Sequence, residues 1–523
     1  MLTGWFTDLE NDGYNGVPYI PANNYLAGSP NPDFDPAPPN SAPLGGFYDN
    51  FSAEGNNYGS SEQGGANLAL NFELGFATLR SITGYADVKD KFGFDLAGGG
   101  FPVDLEPDGT VDFYAPGLLI QSDSTMEQWS EEIQLLGTAF GDRLNWMVGL
   151  FYLNEKGDQT FSGTLVAPPA AFSEQIASET DSYAVFADLS YQVTEALAIS
   201  GGVRWTKDEK SFSDDCVGEF CQSDDSPFGS GAASVAYEDS WDEVTFKLGA
   251  DYRLSDSQMV YATFSQGFQA GGFRTLCFGN LTSDIPELGI RGCGGSTFDP
   301  QTVDSFELGW KSDLFDNRLR LNVAAFYSMY DDIQQLVIQQ FDFDEDGTAD
   351  VTNFPIDNIG EVDVYGIEVE VTWSPIKELN VYANLGVQES DFGTVDPASP
   401  PGGFNGQAPR VKELPSNPQW QAKIGFDYTI PLQNSLAFFY GLDLFHSDSY
   451  FSESRELIEI DDYTRLNGFI GLGADDRQWQ VVLYAKNITD EEDNVSGIFS
   501  NGFTNIRTPL PPAEYMLTFK VNY

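Results

Sequence analysis

Three sets of residues in this chain have the types and spacing to do chemistry: acidic loops, four cysteines and one histidine. Asp342, Asp344, Asp346 and Asp350 stand at positions 1, 3, 5 and 9 of a loop with Gly347 at position 6. A tight loop with that spacing can wrap carboxylate oxygens around Ca²⁺. The twelfth position is Asn353 rather than a bidentate Glu, which weakens the expected site. Asp104, Glu106, Asp108 and Asp112 repeat the spacing around Gly109, and Asp8-Leu9-Glu10-Asn11-Asp12-Gly13 is a poorer third copy. Bound Ca²⁺ would be structural, ordering a loop and neutralising its carboxylates. The competing reading is plain acidic turns, with no cofactor at all.

The cysteines fall in two local pairs, Cys216 with Cys221 and Cys277 with Cys293. Both pairs read as lying in Gly/Ser/Asp-rich segments between strands, as local disulfides formed in an oxidising compartment. Three pairings are possible, and the spacing does not choose among them. Zinc is disfavoured, because neither spacing makes a knuckle and the single histidine, His446, is remote. His446 falls in the strand-like stretch Leu442–Ser447, as a lumen or rim residue. One histidine also leaves little room for a triad. Glu368 and Glu370 share one strand face and read as wall groups, not as a catalytic pair. Gly271-Gly272 is no phosphate loop, since neither Lys-Ser/Thr nor a helix follows. The chain is therefore read as not an enzyme.

The elements that must position these groups are strands. The stretch Tyr515–Tyr523 alternates Tyr515, Leu517, Phe519, Val521 and Tyr523 with a mostly polar set. A strand sends successive side chains to opposite faces, so one face is greasy and the other wet. About 9–11 residues suffice for one tilted crossing of a bilayer. Val244–Leu254, Tyr365–Trp373 and Trp420–Ile430 repeat the pattern, with Trp and Tyr near the ends of the apolar runs. Strands are expected near 67–75, 78–92, 125–138, 143–156, 179–192, 196–211, 241–254, 257–267, 302–313, 318–330, 363–373, 378–391, 417–430, 435–448, 463–474, 478–487 and 513–523. Short turns alternate with long loops, such as 93–124, 212–240, 268–300, 392–416 and 488–512. Residues 1–66 read as a loop-rich segment with room for one strand remnant, and 67–523 as the barrel. The fold class is all-β, a transmembrane antiparallel β-barrel of about 16–18 strands.

Composition agrees. The chain has 523 residues, 14% aromatic, with 25 basic and 80 acidic groups, a net charge of −55. No run of roughly 18 apolar residues marks a helical span. So few cations argue against nucleic acid as a partner. The acid reads as solvated loops, or as cation capture at the barrel mouth.

Several segments resemble TonB-dependent outer-membrane receptors. They are Ser265–Arg274, Phe306–Lys311 followed by Arg318–Asn322 and Ala325–Tyr327, Tyr365–Glu368, Lys486–Asp490 and the terminal aromatic strand. Upstream, Arg80–Tyr85, Ser130–Leu135 and Gly202–Thr206 fit as well, in family order over 67–523. The resemblance implies a 22-stranded barrel with a plug inside, set in bacterial outer-membrane lipid. The plug and the TonB-contacting segment have no counterpart here. Met1–Asp8 lacks the basic start and apolar core of a signal peptide. A piece of a longer receptor is the expectation. The implied function is TonB-coupled uptake of a scarce solute, a ferric siderophore first, with vitamin, haem or oligosaccharide equally compatible with the residues. Phe268, Phe273, Phe278 and Phe298 are candidate ligand contacts. The alternatives are a passive or nonfunctional truncated barrel and, less favoured, an acidic soluble all-β protein with Ca²⁺ loops.

Overall fold

A computed structural model describes residues 1–11, 17–20, 42–43, 58–95, 101–103, 113–115, 118–166, 169–218, 231–273, 297–336, 339–341, 351–353, 356–395, 413–452, 458–500 and 504–522. Eighteen strands form one sheet. They are β1 (Leu2–Asn11), β2 (Tyr58–Glu73), β3 (Thr78–Asp95), β4 (Leu118–Ala139), β5 (Leu144–Val166) and β6 (Pro169–Gln192). Next come β7 (Leu197–Gly218), β8 (Gly231–Ser255), β9 (Gln258–Gln269), β10 (Gln301–Leu314), β11 (Leu319–Asp331) and β12 (Gly360–Ile376). The last are β13 (Leu379–Val395), β14 (Trp420–Pro431), β15 (Leu436–Ser447), β16 (Tyr463–Ala474), β17 (Trp479–Lys486) and β18 (Glu514–Val521). Each pairs antiparallel with the next in chain order, from β1–β2 through β17–β18. This is the wall of a transmembrane β-barrel, and all seventeen expected strands are present in it.

The alternation sorts the faces. On β8, Val244, Phe246, Leu248 and Tyr252 are exposed on the outer face, with Leu248 at 62%. On β6, Tyr183, Val185 and Leu189 are exposed, while Ser182, Ala184 and Phe186 are buried on the inner face. Exposed apolar side chains at this density are stable only against lipid. Turns of two to four residues join β2–β3, β4–β5, β6–β7, β8–β9, β10–β11, β12–β13, β14–β15 and β16–β17. They lie at one end of the wall. Phe315, Asp316 and Asn317, between β10 and β11, hold the left-handed backbone that such a tight reversal needs. The long connections lie at the opposite end, the mouth.

Two expectations change. The boundary expected at 66/67 falls inside β2, and Leu2–Asn11 is a full strand in register with Gly59–Leu68. The stretch Asp8–Asn11 therefore belongs to a strand, whose extended backbone cannot wrap carboxylates around an ion. Several strands also run past their expected ends at the mouth. β4 starts at Leu118, β5 runs to Val166, β6 starts at Pro169, β7 runs to Gly218 and β8 starts at Gly231. Beyond the membrane both faces tolerate polar groups, so the hydropathy alternation stops while the hydrogen-bond ladder continues.

Candidate functional site

The wall extensions of β4–β8 carry an inner face toward the barrel axis at the mouth. Its parity is fixed by unbroken registers. Arg204, Thr206, Lys210, Phe212, Asp214 and Cys216 alternate along β7 opposite Phe186, Ala184, Thr180, Ser178, Ile176 and Glu174 on β6. Trp241 and Tyr237 on β8 face the same way, opposite Asp208 and Phe212.

An aromatic cluster forms where the chain leaves β9. Phe273 lies against Phe212, Tyr237 and Trp241, with ring centroids 6.1, 5.9 and 6.0 Å apart. Lys210 donates to the Gly271 carbonyl at 2.8 Å and sits 5.7 Å over the Trp241 ring. Burial pulls its amine down from the ordinary lysine value. Gly271 permits the close approach, because a Cβ there would stand 2.3 Å from the Phe298 carbonyl oxygen and 2.6 Å from the indole of Trp241. Both glycines of Gly271-Gly272 thus serve close packing against Phe298 and Trp241.

Deeper in the barrel the inner face is polar and paired. Arg204 stacks over Phe151 and Phe186 at 5.2 and 5.3 Å and donates from Nε to Thr206. Tyr261 donates to Glu307, and Lys311 lies over the Tyr261 ring. Glu368 and Glu370 face inward as expected, and Asn322 donates to Glu370 at 3.2 Å. Lys423 pairs with Asp443 at 3.1 Å. Such a wall can bind and orient a polar solute or protein segment.

Of the expected ligand contacts, Phe273 joins the aromatic cluster. Phe298 is buried against Gly272, in a short ladder between Gly272–Phe273 and Thr297–Phe298. Phe268 lies instead on the outer face of β9, on the same parity as Phe264, and Phe278 falls outside the described residues. His446 is a rim residue on the outer face. It stacks on Trp420 at 4.3 Å, with Nδ1 2.8 Å from the Thr464 hydroxyl. Cys216 is disulfide-bonded, and it sits within β7 rather than in a loop. Cys221, Cys277 and Cys293 lie outside the described residues. So do Asp104, Glu106, Asp108, Asp112, Asp342, Asp344, Asp346 and Asp350. Among the described residues no group of three or more His, Cys, Asp or Glu could hold a metal ion. Sequence reasoning missed Lys210, Tyr237, Trp241, Glu174 and Asp214. Extending the strand parity through the polar segments was the signal that would have found them.

A family model described as TonB dependent receptor-like, beta-barrel, matches residues 4–488. The chain belongs to that family. The TonB-dependent receptor-like barrel is 29% identical over 182 residues to the rhizobactin receptor of Rhizobium meliloti (strain 1021), covering 29% of this chain and 21% of that receptor. It is 24% identical over 252 residues to the pesticin receptor of Yersinia pestis, covering 47% of this chain and 32% of that one. Its fold matches the ferric yersiniabactin uptake receptor FyuA from Yersinia pestis with a TM-score of 0.70 at 16% identity, over 90% of this chain and 63% of the other. The siderophore receptor PiuA from Acinetobacter baumannii gives 0.69 at 15% identity, over 100% and 71%. At such identities the structural likeness is one of fold. The matched segments span a third or less of the curated relatives.

Proposed function

We propose that this barrel serves TonB-coupled uptake of a scarce solute, a ferric siderophore, across the bacterial outer membrane. The observation that carries the reading is the agreement of two comparisons. The family match runs over 4–488, and the relatives found by sequence include receptors named for rhizobactin and catecholate siderophores. The geometry supports it. An apolar outer face suits lipid, and a polar, charge-paired inner face suits a hydrated passage. The aromatic wall at the mouth suits capture of a solute before translocation. No covalent step is required of any residue. TonB itself and the solute are the partners this reading requires, with outer-membrane lipid around the wall.

The test is iron-limited growth of an outer-membrane receptor-deficient strain expressing the full-length gene, with ferric siderophores supplied one at a time. Uptake that requires TonB supports the reading. Growth rescue independent of TonB, or ion conductance by the purified barrel in planar bilayers without any siderophore uptake, would replace it with the passive-channel alternative.

A further inference from the structure

Two carboxyl groups on the inner face of the mouth lack a hydrogen-bond donor among the described residues. Glu174 on β6 is only 8% exposed. Its register neighbours are Phe161 on β5 and Cys216 on β7. Cys216 Sγ lies 3.8 Å from Glu174 Oε1, but a disulfide sulfur has no proton to donate. On β7, Asp214 Oδ1 is buried with no hydrogen-bond partner. Much of the surface around them is apolar, and the polar Gln159, opposite Ile176 on β5, donates to the Ser122 hydroxyl at 2.8 Å instead. Phe172 precedes Glu174 by two residues on the same face, and its ring lies 5.8 Å from that of Phe161. Ile176 stands opposite Asp214, and Val235 faces Asp214 from β8. Lys210, the nearest cation on this face of β7, is engaged with Gly271 and Trp241.

A buried carboxylate without a donor is costly, so the site needs either a proton or a cation. Both groups stand beyond the membrane-spanning part of their strands. Burial first and then the neighbouring Asp214 push Glu174 up to about 7. Burial first, then Asp215, pushes Asp214 up to about 6. Among the described residues no third metal-binding side chain joins the two carboxyls. An ammonium group needs only a few acceptors and is favoured by aromatic faces.

We propose that Glu174 and Asp214, walled by Phe161 and Phe172, accept an ammonium group on the solute that enters the barrel mouth. The inference names the charge of the solute and rests on the uptake reading. Binding to the purified barrel is separable from transport, so either can fail without the other.

The test is isothermal titration of the detergent-held barrel at high salt with 1,4-diaminobutane, and with 1,4-butanediol as the uncharged control. At about pH 8.5, where both carboxyls are ionised, the diamine binds saturably and the diol does not. Glu174→Gln and Asp214→Asn each weaken the diamine by about tenfold or more. Binding fades toward about pH 5 as the carboxyls take up protons. Heat-modifiable migration on gels shows that each variant is folded. Asp214 is only half-buried, so Asp214→Asn reports even if Glu174→Gln does not fold. Unchanged affinity in a folded variant, equal binding of the diol, or no saturable binding by the unaltered barrel overturns the proposal.

Discussion

Tyr152 on β5 donates its phenolic proton to Asp181 on β6 at 2.7 Å, where the apolar outer face of the wall ends. The arrangement recurs. Trp205 donates to Asp242 at 3.0 Å, Tyr365 to Asp391 at 3.2 Å, and Tyr327 to Asp363. In each case the acid lies on the following strand, two residues nearer the mouth than the ring's own register partner. The belt aromatics therefore bury their rings at the lipid boundary and point their polar ends toward water. Replacing Tyr327 with Phe keeps the ring and removes the donor. We expect a loss of about 0.5–1 kcal/mol in unfolding free energy, read by tryptophan fluorescence in lipid vesicles. For Tyr152→Phe the loss is smaller, because Asn154 Nδ2 still donates to Asp181.

Two adjacent positions on β12 test the assignment of faces. Val369 points outward toward lipid, and Glu368 points inward beside Ala324 and Gly386. An arginine at 369 must enter the bilayer interior and costs about 2–4 kcal/mol. An arginine at 368 meets the carboxylates of the inner wall and is tolerated. Folding yield into vesicles separates them. A Glu368→Arg variant that folds as poorly as Val369→Arg reverses the faces.

Much of this was legible from residues alone. The lipid-spanning part of each strand must alternate, because one face meets hydrocarbon and the other does not, and all seventeen expected strands exist. The turn-side ends agree closely, as for β9 and β16, where tight reversals leave little freedom. The mouth-side ends were hidden, since in Asp208–Cys216 the alternation dissolves although the pairing persists. The inner-face site was missed for the same reason. Asp214 sits in 212–240, which reads as a loop, and Glu174 falls between the strands expected at 143–156 and 179–192; a carboxylate's burial depends on which strand lies beside it. Phe268 shows the converse failure. An aromatic near a loop reads as a ligand contact, yet register parity puts it on the outer face.

Gly271 is a packing requirement, so Gly271→Ala separates Ala270–Phe273 from the inner wall. The added Cβ would meet the Phe298 carbonyl, which is backbone and cannot swing aside. We expect faster hydrogen exchange in 265–273 and 297–300, together with loss of the Lys210 contact, at a cost of about 1–3 kcal/mol. Exchange unchanged in those segments would show that the return is held from elsewhere.

The carboxyl pair gives the mouth a pH dependence of known sign. Glu174 has its folded value raised to about 7 from 4.5, chiefly by burial. The folded state therefore holds this proton more tightly than the unfolded chain. The stabilisation is full below about pH 4.5 and is lost as pH rises through about 7. Asp214 acts in the same direction at slightly lower pH. On the other elements packed here, Gln159 and Phe161 of β5 and Val235 of β8 do not titrate. Asp215 lies on the opposite face of β7. Glu174→Gln should match the unaltered barrel near pH 5 and exceed its stability near pH 8, by on the order of 1–3 kcal/mol, in the absence of amines. A pH-independent difference would mean that Glu174 is solvated.

Asn487 governs the passage from β17 to β18. It is nearly fully buried and adopts a left-handed backbone with φ of 47°. Its side chain donates to the carbonyls of Glu491 and Pro511 at 3.1 and 3.0 Å and accepts from the Glu491 amide at 2.9 Å. Its own amide donates to Asn467 on β16. One residue thus ties both ends of the last mouth-side connection to a third strand, which explains the asparagine in Lys486–Asp490. Asn487→Ala removes three side-chain bonds, releases the Glu491 and Pro511 carbonyls from it and puts a Cβ residue without a compensating side chain at positive φ. A loss of about 2–4 kcal/mol is expected. Asn487→Gly relieves only the backbone component, so it should be milder by about 1 kcal/mol. If the two variants lose equal stability, the side-chain bonds carry the whole effect. If neither loses any, the connection is held by Asp490 and its bond from the Ala513 amide instead.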